Sequence, residues 1–302
     1  MPGKKTALKI MVTGGSGFLG SHIADALTAA GHEVYIFDIK PSKFISEGQH
    51  MLIGDIMDGD SLKESMKGMD VVYHLAAMAD VDAAQGKPYE TMRINVLGTT
   101  NVLEAAVSAG VGRLVFASTI YVYSRTGSFY RVSKHACELL LEAYHEKFGL
   151  EHTVLRFGTL YGPRADKTNS VHRYLTEAFK TGKIEFKGTG KEVREYIHVK
   201  DAAEICVNVL DGSFSGETLI LTGHHRMRLN ELLDMINEIL GGKIHINYSP
   251  KDSRSHYEQT PYSYIPRVGK KLITNKYCDL GQSLVEILDE INISRDNEEI
   301  RF

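Results

Sequence analysis

Cysteine is scarce in this chain of 302 residues: Cys137, Cys206 and Cys278 lie far apart, in no metal spacing, and an odd count makes a poor disulfide framework. A reducing, cytoplasmic setting is therefore expected. No apolar run approaches the ~18 residues of a membrane span. Residues 1–5 are short and polar and lead at once into a strand-like run at 7–12, which is not the pattern of a signal peptide. Charge of one sign is also lacking: a formal net charge of -3 gives no electrostatic case for nucleic acid or an anionic membrane. Repeats and low-complexity linkers are missing too, so the parts of the chain are expected to fold together.

What is present is a rhythm. Apolar strand-like runs at 8–13, 33–38, 50–53, 71–76, 113–118 and 152–157 alternate with helical patterns at 18–30, 89–109 and 128–148. That alternation predicts an α/β fold with a doubly wound, parallel Rossmann sheet. After Tyr161-Gly162-Pro163 the rhythm loosens. Helices at 171–180, 202–210 and 229–240 mix with short strands at 184–186, 195–199, 218–222 and 244–248. The expected organisation is a dinucleotide-binding domain over 1–165 and a smaller α/β region over 166–302, interleaved with the first.

The first strand runs into Thr13-Gly14-Gly15-Ser16-Gly17-Phe18-Leu19-Gly20 and then a helix. Glycines at 14, 17 and 20 allow a tight turn and a close approach of the backbone to a pyrophosphate, whose charge the helix N-terminus holds. The second strand ends in Asp38, whose carboxylate accepts hydrogen bonds from ribose hydroxyls and repels a 2′-phosphate, so NAD is expected over NADP despite Lys40 nearby. Asp55 and Ile56, after the third strand, are candidate neighbours of the adenine.

Tyr130-Arg131-Val132-Ser133-Lys134 opens the long helix after strand five, and a spacing of four puts Tyr130 and Lys134 on one face. A phenol is a poor base at neutral pH, but a nearby ammonium and a cationic cofactor ring lower its pKa. It can then take a proton from a substrate hydroxyl. Strand five ends in Ser118-Thr119, and the carboxyl ends of the strands are where a doubly wound sheet binds ligands.

As a set, Thr13 to Gly20, His74-Leu75-Ala76-Ala77, Asn95-Val96-Leu97-Gly98-Thr99, Phe116 to Thr119, Tyr130 with Lys134, Leu155 to Arg164 and Arg194-Glu195-Tyr196-Ile197-His198-Val199 resemble the extended short-chain dehydrogenase/reductase family, in its nucleotide-sugar epimerase/dehydratase branch. The resemblance implies Tyr130 as general base, Lys134 as its partner and Thr119 as the hydroxyl of the strand-five loop. It implies a cofactor cleft of Gly14, Gly17, Phe18, Leu19, Gly20, Asp38, Asp55, Ile56, Leu75, Ala76, Ala77, Asn95, Ser118, Tyr130 and Lys134. On the substrate side it implies Thr119, Thr159, Asn169, Lys187, Arg194 and, by a loose match, Arg254. Arg194 suits a diphosphate because a guanidinium is a planar fork of donors; the alternative is an ion pair with Glu192 or Glu195. No metal site is expected, and similar proteins pair their two long helices across a homodimer.

Four departures matter. Only ten residues separate Thr119 and Tyr130. Ile120 and Tyr121 stand where similar 4,6-dehydratases carry an Asp-Glu pair, which argues against dehydration and decarboxylation. Lys187 stands where many relatives place an aromatic against uracil. The tail over 249–267 is rich in Tyr, Ser, Arg and His. The expected activity is NAD-dependent epimerisation of a nucleotide-activated sugar, at C4 of a hexose or uronate. The alternatives are a sugar dehydrogenase or reductase with net turnover, and a non-catalytic NAD-binding regulator.

Overall fold

The chain enters through β1 (Lys9–Thr13), whose last four residues are all buried, as a strand covered on both faces must be. The structure is a computed structural model and describes residues 7–224, 226–249 and 256–264. α1 (Phe18–Ala29), β2 (Glu33–Asp38), β3 (Gln49–Ile53), α2 (Gly59–Ser65), β4 (Val71–His74), α3 (Val81–Gly86), α4 (Pro88–Met92), α5 (Gly98–Ala109), β5 (Arg113–Thr119), α6 (Ser128–Phe148) and β6 (Glu151–Phe157) follow in order. β7 (Thr159–Tyr161), α7 (Ser170–Thr181), β8 (Lys183–Lys187), β9 (Val193–His198), α8 (Val199–Asn208), β10 (Thr218–Leu221), β11 (Arg226–Arg228), α9 (Leu229–Ile239) and β12 (His245–Ser249) complete the described elements.

The main sheet has seven parallel strands in the order β10-β6-β5-β4-β1-β2-β3. The order reverses at β1 and β4, and the carboxyl ends of those strands open onto one crevice. Two apolar layers cover the sheet. One gathers Ile23, Leu27, Ile36, Tyr73 and Cys206 beneath α1 and α8. The other gathers Met11, Phe116, Leu103, Cys137 and Leu141 beneath α2, α5 and α6.

Two small sheets, β11-β9-β7 and β12-β8, lie beyond β6. Tyr174, Ile184, Phe186, Leu233 and Ile236 form a third core between the β12-β8 sheet and α7 and α9. The described residues make one compact unit. Among the described residues no helix is long and apolar enough to cross a membrane.

The structure differs from the sequence-based expectation in three places. The helix expected over 89–109 is α4 and α5 joined by a π-helical turn, Arg93–Leu97. The strand expected at 218–222 does not belong to the smaller region: β10 pairs with β6 and becomes the seventh strand of the main sheet. The short elements α2, α3 and β7 had no clear period to announce them.

Candidate active site

β1 delivers the chain to a turn at the centre of the crevice. Gly14 has φ +72, and a Cβ on it would sit 2.7 Å from the backbone N of Ala76. A Cβ on Gly20 would collide with the carbonyl of Gly14. Glycine is therefore required at both, and the free N–H groups at the start of α1 stay open to an anion. The Asp38 carboxylate accepts from Ser16 N at 3.1 Å and Lys40 N at 3.2 Å, which fixes it at the mouth of the turn. These donors and the glycine cradle fit a dinucleotide.

A continuous cleft of about 1790 Å³ runs from this turn across the ends of the strands into the smaller region. Gly14, Gly17, Phe18, Leu19, Gly20, Asp38, Asp55, Ile56, Leu75, Ala76, Ala77, Ser118, Tyr130 and Lys134 line it, as do Thr119, Thr159, Asn169, Lys187 and Arg194. Arg254 and Cys278 lie outside the described residues.

Not all of these side chains are available to a ligand. Asn95 is buried in the π-helical turn and does not line the cleft. Its Oδ1 accepts from Met78 N at 2.7 Å, and its Nδ2 donates to Met78 O and to Ser133 Oγ. It therefore fixes the backbone after Ala77 instead of reaching a cofactor. The Ser118 hydroxyl donates to Glu138, so its oxygen can only accept from a ligand in the cleft. Asn169 caps α7, accepting from His172 N at 3.1 Å and donating to Leu160 O at 2.7 Å. Its contribution is to aim the N-terminus of α7.

Burial pushes the Tyr130 phenol up to about 12, with the Thr119 hydroxyl beside it acting in the opposite direction. Lys134 is 3% exposed. Its Nζ donates to Ala117 O at 2.7 Å and lies 4.6 Å from the centre of the Phe116 ring. Burial lowers it to about 8. Below these groups Glu138 binds Arg156 through two hydrogen bonds, and Arg156 stacks on Tyr123.

Several cleft residues were not among those expected to bind a ligand. Arg173 on α7, Tyr121 after β5, and His256 and Tyr257 all line it. Residues 256–264 cross the smaller region: Val193 N donates to Glu258 O at 2.8 Å, and the Arg194 guanidinium stacks 4.2 Å above Tyr257. Tyr and His richness marked this tail as unusual, but a tertiary docking site leaves no local period.

Sheet order, glycine turn and Tyr–Lys pair define a dinucleotide-dependent enzyme built on an extended Rossmann frame. Residues 10–220 match the model of the NAD dependent epimerase/dehydratase family. The chain belongs to this family and is an NAD-dependent enzyme. It is 30% identical to the UDP-N-acetyl-alpha-D-glucosaminuronate decarboxylase of Bacillus cytotoxicus over 80% of this chain and 83% of that protein. Its fold matches UDP-glucose 4-epimerase of Thermus thermophilus in complex with NAD at a TM-score of 0.77 and 27% identity, over 87% of this chain and 95% of that one. UDP-glucuronic acid 4-epimerase of Bacillus cereus, in complex with UDP-glucuronic acid and NAD, matches at 0.78 and 25% identity over the same shares.

Proposed function

We propose that this protein is an NAD-dependent epimerase of a nucleotide-activated sugar, acting at C4 with Tyr130 as the general base. The observation that carries this reading is the clustering of Tyr130, Thr119 and Lys134 midway along one cleft, between the glycine turn and Arg194. Gly14, Gly17, Gly20 and Asp38 are proposed to hold the cofactor, and Thr159, Lys187, Arg194 and the N-terminus of α7 the nucleotide diphosphate. Bound NAD supplies a hydride acceptor that can hand the hydride back, and a positive charge that favours a phenolate.

Tyr130 takes the proton of the substrate hydroxyl at its phenolic oxygen and later returns it to the same oxygen. Thr119 lines the cleft beside that phenol, where its hydroxyl can meet the same substrate oxygen. Lys134, fixed by Ala117 O and the Phe116 ring, supplies the ammonium that stabilises the phenolate. Ile120 and Tyr121 provide no carboxylate for elimination, which supports epimerisation over dehydration. The second reading, a dehydrogenase or reductase with net turnover, uses the same half-reaction. We also place the protein in the cytoplasm, as a homodimer.

The test is to release ligand from the purified, denatured protein for mass spectrometry, then incubate the native protein with UDP-, GDP-, CDP- and dTDP-sugars. Epimer formation without net NADH supports the epimerase; stoichiometric NADH replaces it with the dehydrogenase. Failure to bind any dinucleotide overturns the site. In Tyr130→Phe, kcat should fall by about 10²–10⁴ while NAD still binds; unchanged turnover would remove Tyr130 from the mechanism.

A further inference from the structure

Arg164, in the loop after β7, holds a strained backbone that the proton transfer at Tyr130 does not explain. Its φ is +68°, in the left-handed region that a residue with a side chain keeps only when its surroundings hold it there. Beside it, Pro163 O accepts from Nε2 of His22 on α1, at 3.0 Å, which pins the loop. The Arg164 guanidinium then meets two partners remote in sequence. Its Nη2 pairs with Oδ2 of Asp25 on α1 at 2.7 Å, and its central carbon lies 4.6 Å from the centre of the Phe44 ring. Among the described residues nothing accepts from Nη1, which is buried.

Phe44 belongs to the loop 39–48 that follows Asp38. That loop is exposed except at Ser42 and Phe44, so Phe44 is the apolar side chain by which it is anchored. Polar contacts tie its two ends to the same part of the fold. Ser16 Oγ of the glycine turn donates to Lys40 O at 2.8 Å, and Asp25 Oδ1 accepts from Gln49 Nε2 at 2.9 Å and from Ser46 Oγ at 3.4 Å. Lys43, Phe44 and Arg164 line the same cleft as Gly17, Phe18 and Asp38. Asp25 already neutralises the guanidinium, so Arg164 acts through Phe44, as a positioning residue.

We propose that Arg164 and Phe44 form a latch that holds loop 39–48 closed along bound NAD and keeps the cofactor in place between the two hydride transfers. The inference rests on the epimerase reading above and deepens it. In that reaction the hydride taken from the sugar returns from the same cofactor, and NADH leaving midway would strand the ketosugar. Slow cofactor exchange is therefore part of the function. A loop fastened at its middle by one stacked arginine supplies it, because NAD leaves only when that contact opens. The strain at Arg164 aims its side chain at the loop.

The test exchanges radiolabelled NAD into the full chain, chases with excess unlabelled NAD and follows the label retained on a filter. Arg164→Met and Phe44→Ala should each release NAD about tenfold faster than wild type, as expected for the loss of a partly desolvated cation–π contact. Phe44→Tyr keeps the stacked ring and should release at the wild-type rate. The double variant Arg164→Met/Phe44→Ala should be no faster than the faster single, because both open one latch. Phe44 sits on an exposed loop, so its two variants carry the test if Arg164→Met does not fold. Release from Phe44→Ala at the wild-type rate, or equally fast release from Phe44→Tyr and Phe44→Ala, overturns the inference and leaves the epimerase reading standing, since no sugar enters the assay. A wild-type protein that takes up no label overturns the cofactor site, and the latch with it.

Discussion

Lys134 is a cation that the fold holds at a cost. It is 3% exposed and burial brings it from an ordinary 10.5 down to about 8. A shift of that size means the folded state disfavours the charged form by something on the order of 3 kcal/mol. The folded pKa lies below the unfolded one, so the unfolded chain binds more protons between about pH 8 and 10.5 and stability rises with pH across that window. Lys134→Met should therefore stabilise the ligand-free protein by roughly 1–3 kcal/mol at pH 7. The gain is limited by the Ala117 carbonyl it strands, and it should shrink towards pH 10. Denaturant titration at pH 7 and pH 10 checks this; a variant less stable than wild type at pH 7 would show that the lysine is a structural support. The same substitution should abolish turnover, since the phenolate loses its ammonium. At this scale much was legible in the sequence. Gly14, Asp38, Tyr130 and Lys134 sit at spacings that a strand, a turn or one helix face fixes locally, and the structure brings them to one cleft. Asn95 and Ser118 belong to the same motifs, but the Asn95 amide is taken up by Met78 and the Ser118 proton by Glu138, partners that no spacing reveals.

Elements are tied together behind the cofactor cleft by His74, at the end of β4. Thr99 Oγ1 donates to Asn95 O, so the His74 Nε2–H donates to Thr99, at 2.9 Å, and the bare Nδ1 accepts from Thr13 Oγ1, at 2.7 Å. β1, β4 and α5 are thus joined through one neutral ring, and Thr13 also accepts from Ala76 N in the cleft wall. Burial, with Lys134 close by, lowers His74 to about 3. The folded pKa is depressed, so between pH 6.5 and 3 the unfolded chain takes up a proton that the folded one refuses, and stability falls as pH falls. The slope is about 1.4 kcal/mol per pH unit from this residue. His74→Gln should be less stable at pH 7, because it breaks at least one of the two hydrogen bonds, and its stability should fall by about one proton less between pH 6 and 4. Equal acid slopes in variant and wild type would mean that His74 titrates normally in the fold. The strands and long helices here were legible because their apolar periods are long and local. The π-helical turn at Arg93–Leu97 and the placement of β10 were not, since the first changes a helical period by one residue and the second depends on which sheet edge is left open at β6.

For the whole molecule the remaining question is what covers the outer face of α6 and its neighbour. Val132 and Leu139, seven residues apart on α6 and so on one face, are 41% and 55% exposed, and Leu97 at the foot of α5 is 50% exposed. Tyr144 of α6 hydrogen-bonds Glu104 of α5, which holds the two helices as one surface. Single exposed apolar residues are common, but a stripe across two adjoining helices is the surface a two-fold partner would bury. The proposed homodimer places a second copy of this face there. Light scattering at micromolar concentration should give twice the chain mass, and Leu139→Arg should give the single chain while NAD still binds, because residue 139 points away from the cleft-lining face that carries Tyr130 and Lys134. A wild-type protein that scatters as a single chain at these concentrations would instead mean that the stripe stays in water, and that the catalytic cleft is complete within one chain.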